Sequence, residues 1–199
     1  MDNTNNLPVL WYYFSINENN LLNLGRYVEI CDANMNCCSV EITRSILDIG
    51  SEVEYLFKRI CQTQSMSESN ISDYKKCLLT IKSNITQCAV QVKGVSIQTN
   101  SIIYPFKEWT NPNSGLTCWQ NYSKIKHDKY ILDTPSVANL RTLIELFGIY
   151  EILLALYTDI VSNDKCIPTS YFYRLLFPIK LDNSGFGSML NFNIWFGIT

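Results

Sequence analysis

Apolar residues recur along this chain at steps of three, four and seven, and the polar residues between them gather into short clusters. That period predicts helices separated by turns. From Leu7 to about Cys31, one stripe holds Leu10, Tyr13, Phe14, Leu21, Leu24, Tyr27, Val28 and Cys31, with a polar weak spot at Asn17 to Asn20. Asp32 to Cys38 reads as a turn. Ser39 has N-cap chemistry, and Glu41 sits where the helix dipole favours an acid. The helix they start runs from about Val40 to Cys61, with Ile42, Ile46, Leu47, Ile49, Val53, Leu56, Phe57 and Ile60 as its apolar set. Gly50 lies inside it. A mid-helix glycine costs about 1 kcal/mol relative to alanine, so its presence predicts the close approach of another helix.

Gln62 to Asn70 is a polar loop, and Ser72 is the expected cap of a third helix over Asp73 to Val92, ended by Gly94. Val95 to Phe106 alternates loosely, as a short strand or an extended crossing. Pro105 to Leu116 is the longest irregular connection, a length at which loops are often functional. A short helix over Thr117 to His127 follows. After Pro135 comes the strongest helix, Ser136 to Ser162. Arg141, Glu145, Glu151 and Asp159 interrupt its apolar run, which stays below the roughly 18 residues of a membrane span. It therefore reads as a buried bundle helix, with no membrane partner. Thr169 to Thr199 is aromatic and contains Pro and Gly, as extended or hairpin segments do. The expected fold class is all-α: a bundle of four to five helices over residues 1–164, with an aromatic, partly extended appendage over residues 165–199 packed on it.

Composition agrees with a globular helical chain: 47% hydrophobic, 17% charged, and only 8 Gly and 6 Pro in 199 residues. The net charge of −2 argues against a non-specific nucleic-acid binder coated in cations, but leaves room for a local basic site. The polar start, Met1-Asp2-Asn3-Thr4, lacks the pattern of a secretory leader. The eight cysteines then read as free, mostly buried thiols of a reducing cytoplasm. No Cys-x-x-Cys pair exists and there is one histidine, so neither a metal site nor a cofactor is expected.

Three constellations bear chemistry. The first is His127, flanked by Lys124, Lys126 and Lys129 and preceded by Trp119, Asn121 and Tyr122. A histidine can take and give a proton near neutrality, and neighbouring lysines favour an anionic substrate. The plainer alternative is a histidine that caps carbonyls at a helix end or lies in solvent. The second is Glu54-Tyr-Leu-Phe-Lys58-Arg59, in which Glu54 and Lys58 are spaced for an ion pair along one helix face. Such a pair is complete in itself, unless the cluster faces a cleft where Arg59 or Lys58 holds a phosphate. The third is a Cys–His pair. Cys118, nine residues before His127, would lie off its face and roughly 13 Å along the axis.

The segment from Ser39 to Arg59, with its Glu54-x-x-x-Lys58-Arg59 pattern, and the segment from Trp119 to Lys129 ahead of an apolar helix resemble the HEPN superfamily over about residues 35–160. The resemblance implies a helical bundle, usually a homodimer with a composite cleft. Many members are metal-independent endoribonucleases of toxin–antitoxin or phage-defence systems. Others are non-catalytic interaction modules. By this resemblance His127 is the acid/base, Arg59 with Lys58 or Lys126 holds the phosphate, Glu54 orients a cation, and Lys124 and Asn121 contact substrate. RNA and an antitoxin or other protein are the implied partners. The arginine that the family places a few residues ahead of its histidine is absent. Tyr122, Asn121 and Gln120 stand there, and Arg59 is the candidate replacement.

Overall fold

The computed structural model describes residues 6–92, 101–128, 136–161 and 176–179. They are mostly helical. The helices are α1 (Leu7–Leu24), α2 (Val40–Thr63), α3 (Ile71–Ile81), α4 (Thr117–His127) and α5 (Leu140–Val161). None is long and apolar enough to cross a membrane.

The bundle is organised around α5. Between Leu140 and Thr158 every residue is buried except Arg141 and Glu145. A helix apolar on nearly every side is a core helix, and α5 runs through the middle of this one. Its main partner is α2, whose Ile42, Ile46, Ile49, Val53, Leu56, Phe57 and Ile60 are all fully or almost fully buried. Helix α2 starts as the sequence predicts: the Ser39 side chain accepts a hydrogen bond from the Ile42 amide at 3.1 Å. On the α1 side, Phe14 packs against Phe147 and Tyr150, with ring centroids 5.2 Å from each. The indole N–H of Trp11 donates to Thr158 Oγ1 at 3.1 Å.

Three expectations are corrected. Helix α1 stops at Leu24, followed by turns, and its buried face is Leu10, Trp11, Phe14, Glu18 and Leu21. Tyr13 and Tyr27 are exposed. The polar stretch at Asn17 to Asn20 does not interrupt the helix. The third helix is capped by Asn70, whose side chain accepts from the Ser72 and Asp73 amides at 2.9 and 3.2 Å, and it ends at Ile81 rather than Val92. Ala89–Val92 is instead strand β1, antiparallel to β2 (Ser101–Ile103) and β3 (Leu176–Ile179) in the order β2-β1-β3. The polar run Lys82 to Asn84 breaks the helix, and the β-branched residues after it pair across strands. Their helical spacing was coincidental. Of the expected C-terminal appendage, only β3 lies among the described residues.

The connection from Pro105 to Leu116 is irregular, as expected, but tied down. A short 3-10 turn spans Lys107–Thr110. The Lys75 ammonium of α3 donates to the carbonyls of Asn111, Pro112 and Ser114 at 2.9, 2.9 and 3.1 Å. Glu108 accepts from the Thr117 amide at 2.6 Å and from its hydroxyl at 2.5 Å, and so caps α4 from outside the helix.

Candidate functional site

Two helical ladders meet where α2 faces α4. Gly50, Glu54 and Lys58 stand one turn apart on α2, and Tyr122 and Lys126 stand one turn apart on α4. Gly50 makes the approach possible, because a Cβ there would collide with the Tyr122 ring. The tyrosine hydroxyl then donates to Glu54 Oε2 at 3.2 Å. Lys126, one turn further on, reaches the same oxygen at 2.7 Å, while Lys58 holds Oε1 at 2.8 Å. The Lys126 ammonium also lies 5.7 Å from the Tyr122 ring centroid, within cation–π range.

Glu54 is the hub. Its side chain is only 22% exposed, against 44% and 46% for Lys58 and Lys126. Burial pushes its carboxyl up, but hydrogen bonds from Lys126 and Lys58 and their positive charges outweigh it and hold the carboxyl down at about 2. Glu54 is therefore a permanent anion near neutrality and has no proton to give. Its neighbour Tyr122 is pushed the other way, by burial first and by the Glu54 charge second, so its hydroxyl stays protonated. One carboxylate between two ammoniums leaves a net positive face.

The remaining sequence candidates occupy three different places. His127 and Lys124 are exposed on the last turn of α4, where cations complement the helix dipole. His127 makes no hydrogen bond or ion pair with the described residues. Arg59, next in sequence to Lys58, projects about 100° around α2 from it, donates to Gln62 at 3.1 Å and reaches the Tyr157 hydroxyl of α5 at 3.4 Å. Asn121 is buried on the α5 flank of α4, where its amide donates to Thr142 Oγ1 at 3.0 Å. The fold thus joins Glu54, Lys58 and Lys126, adds Tyr122, and sets Arg59 and Asn121 on other faces.

No Cys–His nucleophile forms from Cys118. That thiol is buried, and burial, with the charges of Glu145 and Glu108, keeps it well above the usual thiol range. Cys31, Cys37, Cys38, Cys61, Cys77, Cys88 and Cys118 are free thiols. No cluster of three or more potential metal ligands occurs among the described residues. The sequence reading missed Tyr122 as a partner of Glu54. The signal was a glycine one helical turn before the glutamate and an aromatic residue one turn before the lysine.

No protein-family model, curated protein or solved structure matches this chain.

Proposed function

We propose that the α2/α4 face binds the phosphate backbone of RNA, and that the chain is a HEPN-like, metal-independent endoribonuclease acting as a homodimer in a toxin or defence setting. The observation that carries this reading is the bridge from Lys58 through Glu54 to Lys126. It unites the two segments that resemble the family, 72 residues apart, in one positively charged cluster whose Lys126 directly precedes the only histidine in sequence. In the proposed reaction His127 removes the proton of a ribose 2′-hydroxyl. The 2′-oxygen attacks phosphorus as the P–O5′ bond breaks, and the proton passes to the leaving 5′-oxygen. The products are a 2′,3′-cyclic phosphate and a 5′-hydroxyl. Lys126 and Lys58 offset the charge that builds on the phosphoryl oxygens, and Glu54 fixes where those ammoniums sit. Arg59 completes the cation set from the second protomer of the proposed dimer.

A second reading is a non-catalytic HEPN-like module that uses the same basic face to bind an acidic protein such as an antitoxin. The exposure of His127, and the lack of a described side chain holding its ring, favours it, because general bases are normally oriented by a partner.

A ribonuclease assay on purified protein with chelator present separates the two. Cleavage of total RNA or tRNA that survives chelator and is lost in His127→Ala and Lys126→Ala supports the enzyme. Loss in Arg59→Ala as well supports the dimeric cation set. Folded wild type that cuts neither substrate rejects the enzyme in favour of the module.

A further inference from the structure

On the other flank of α4, between the 3-10 turn, the β2 end and the first turns of α5, lies a cavity of about 470 Å³. Its lining includes Asn121, Arg141 and Glu145, with Ile102, Tyr104 and Pro105 as an apolar wall. Arg141 and Glu145 are the only residues of α5 between 140 and 158 that are not buried, and both turn to this space.

The local hydrogen bonding is nearly complete, which makes the gaps informative. The helix starts bordering the cavity need nothing. The Leu140 and Arg141 amides donate to the Cys37 and Met35 carbonyls, the Thr142 amide to Asn139 Oδ1, and the Thr117 amide to Glu108. Both oxygens of Glu108 are occupied by Thr117. Thr142 spends its one hydroxyl proton on the Val137 carbonyl at 2.9 Å, so it must accept from Asn121. That fixes the amide of Asn121 with Nδ2 toward Thr142 and leaves Oδ1 without a donor among the described residues. Asn121 is only 7% exposed, yet it lines the cavity, where Oδ1 remains able to accept from whatever enters.

The second gap is Arg141 with Glu145. They are spaced i, i+4 on one helix face, yet they form no salt bridge within 4.0 Å. The Glu145 carboxyl makes no hydrogen bond among the described residues either. The cavity therefore holds an unpaired carboxyl and an unpaired amide oxygen, both able to accept, with a guanidinium one turn away from that carboxyl.

We infer that this cavity binds a free α-amino acid with an apolar side chain. The α-ammonium has three donors for Glu145 and Asn121 Oδ1. The α-carboxylate suits the fork of Arg141, which a planar anion can engage through two N–H groups. The ligand's zwitterion closes a charge pair that the protein leaves open. Its side chain lies against Ile102 and Tyr104, which are 43% and 37% exposed without it. A polyamine fits less well, since Arg141 and the exposed Lys107 border the same space. This inference is independent of the ribonuclease reading and survives if that reading fails.

The test is calorimetric and NMR binding with phenylalanine, leucine and methionine, each set beside its matched amine lacking the carboxylate and its matched acid lacking the ammonium. Wild type should bind at least one amino acid, with both half-ligands weaker by roughly tenfold or more, as loss of a charged hydrogen-bond set requires. Arg141→Ala and Glu145→Gln should each weaken the zwitterion by a similar factor, and an unchanged thermal unfolding midpoint will confirm the fold. Arg141 is exposed, so its replacement leaves the core intact. No binding of any of the three amino acids at millimolar concentration to folded wild type would overturn the inference. So would equal binding of a half-ligand, or binding indifferent to both substitutions.

Discussion

Replacing Gly50 by alanine sets two ordinary rules against each other. Helix propensity alone says that alanine in the middle of α2 should stabilise the protein by about 1 kcal/mol. The structure says the reverse, because the added Cβ would collide with the Tyr122 ring, and the nearest atoms are ring carbons rather than the free end of a flexible chain. Relief requires the ring to withdraw, which costs about 1–3 kcal/mol as overpacking. It also draws the Tyr122 hydroxyl from Glu54, worth about 1 kcal/mol more. The sum is a net destabilisation of about 2 kcal/mol, or roughly 4–8 °C in unfolding midpoint for a chain of this length. Urea unfolding followed by tryptophan fluorescence reads it directly, since Trp119 lies 5.2 Å from Tyr122. The decisive comparison is a double-mutant cycle. In a Tyr122→Ala background the obstacle is gone, and Gly50→Ala should become stabilising by about 1 kcal/mol. A stabilising effect in both backgrounds would refute the claim that this glycine exists to admit the ring.

Three further outcomes follow from the same geometry. Glu54→Gln should cost about 1–2 kcal/mol at neutral pH, where the carboxylate holds two half-exposed lysines. Because its folded carboxyl is depressed from 4.5 to about 2, that contribution is present above 4.5 and fades as pH falls toward 2. Urea midpoints of wild type and variant should therefore draw together as pH falls from about 4.5 toward 2. Glu151 carries the opposite sign: its carboxyl is fully buried without a hydrogen-bond partner, and burial, with Glu18 nearby, holds it well above 4.5. The unfolded chain ionises there first, so wild type should lose stability relative to Glu151→Gln as pH rises above 4.5, again read from paired urea midpoints. Lys75→Met should lower stability by about 1 kcal/mol and speed amide exchange in residues 111–114, whose carbonyls lose their shared donor.

How far the sequence could be read depended on whether a signal was local. The period of α2, its Ser39 cap and the apolar run of α5 are local, and each was legible. Gly50 predicted a close neighbour, but not which one, because the neighbour is 72 residues away on α4. The stretch from Ile85 to Val92 failed for the complementary reason. Its apolar spacing suits a helix, yet pairing with β2 and with the distant β3 pulls its last four residues into a sheet. Among the site candidates, Glu54 and Lys58 were visible as a same-face pair. Lys126 joined them only through the packing of α4. Asn121 and Arg59 looked equivalent to their sequence neighbours, but one step along a helix is a rotation of about 100°, enough to turn each toward α5. The Arg141–Glu145 opening was hidden, since i, i+4 spacing by itself predicts a closed pair.

The central position of α5 also imposes a timetable on biosynthesis. Helices α1 to α4 are all synthesised before residue 140, and the helix that dries their inner surfaces comes after them. Until then the α2 face carrying Ile46, Val53 and Leu56 has no permanent cover. A nascent chain halted near residue 139 is thus a sticky intermediate that needs a holding factor, and consolidation of the bundle comes late, in one cooperative step, when α5 arrives.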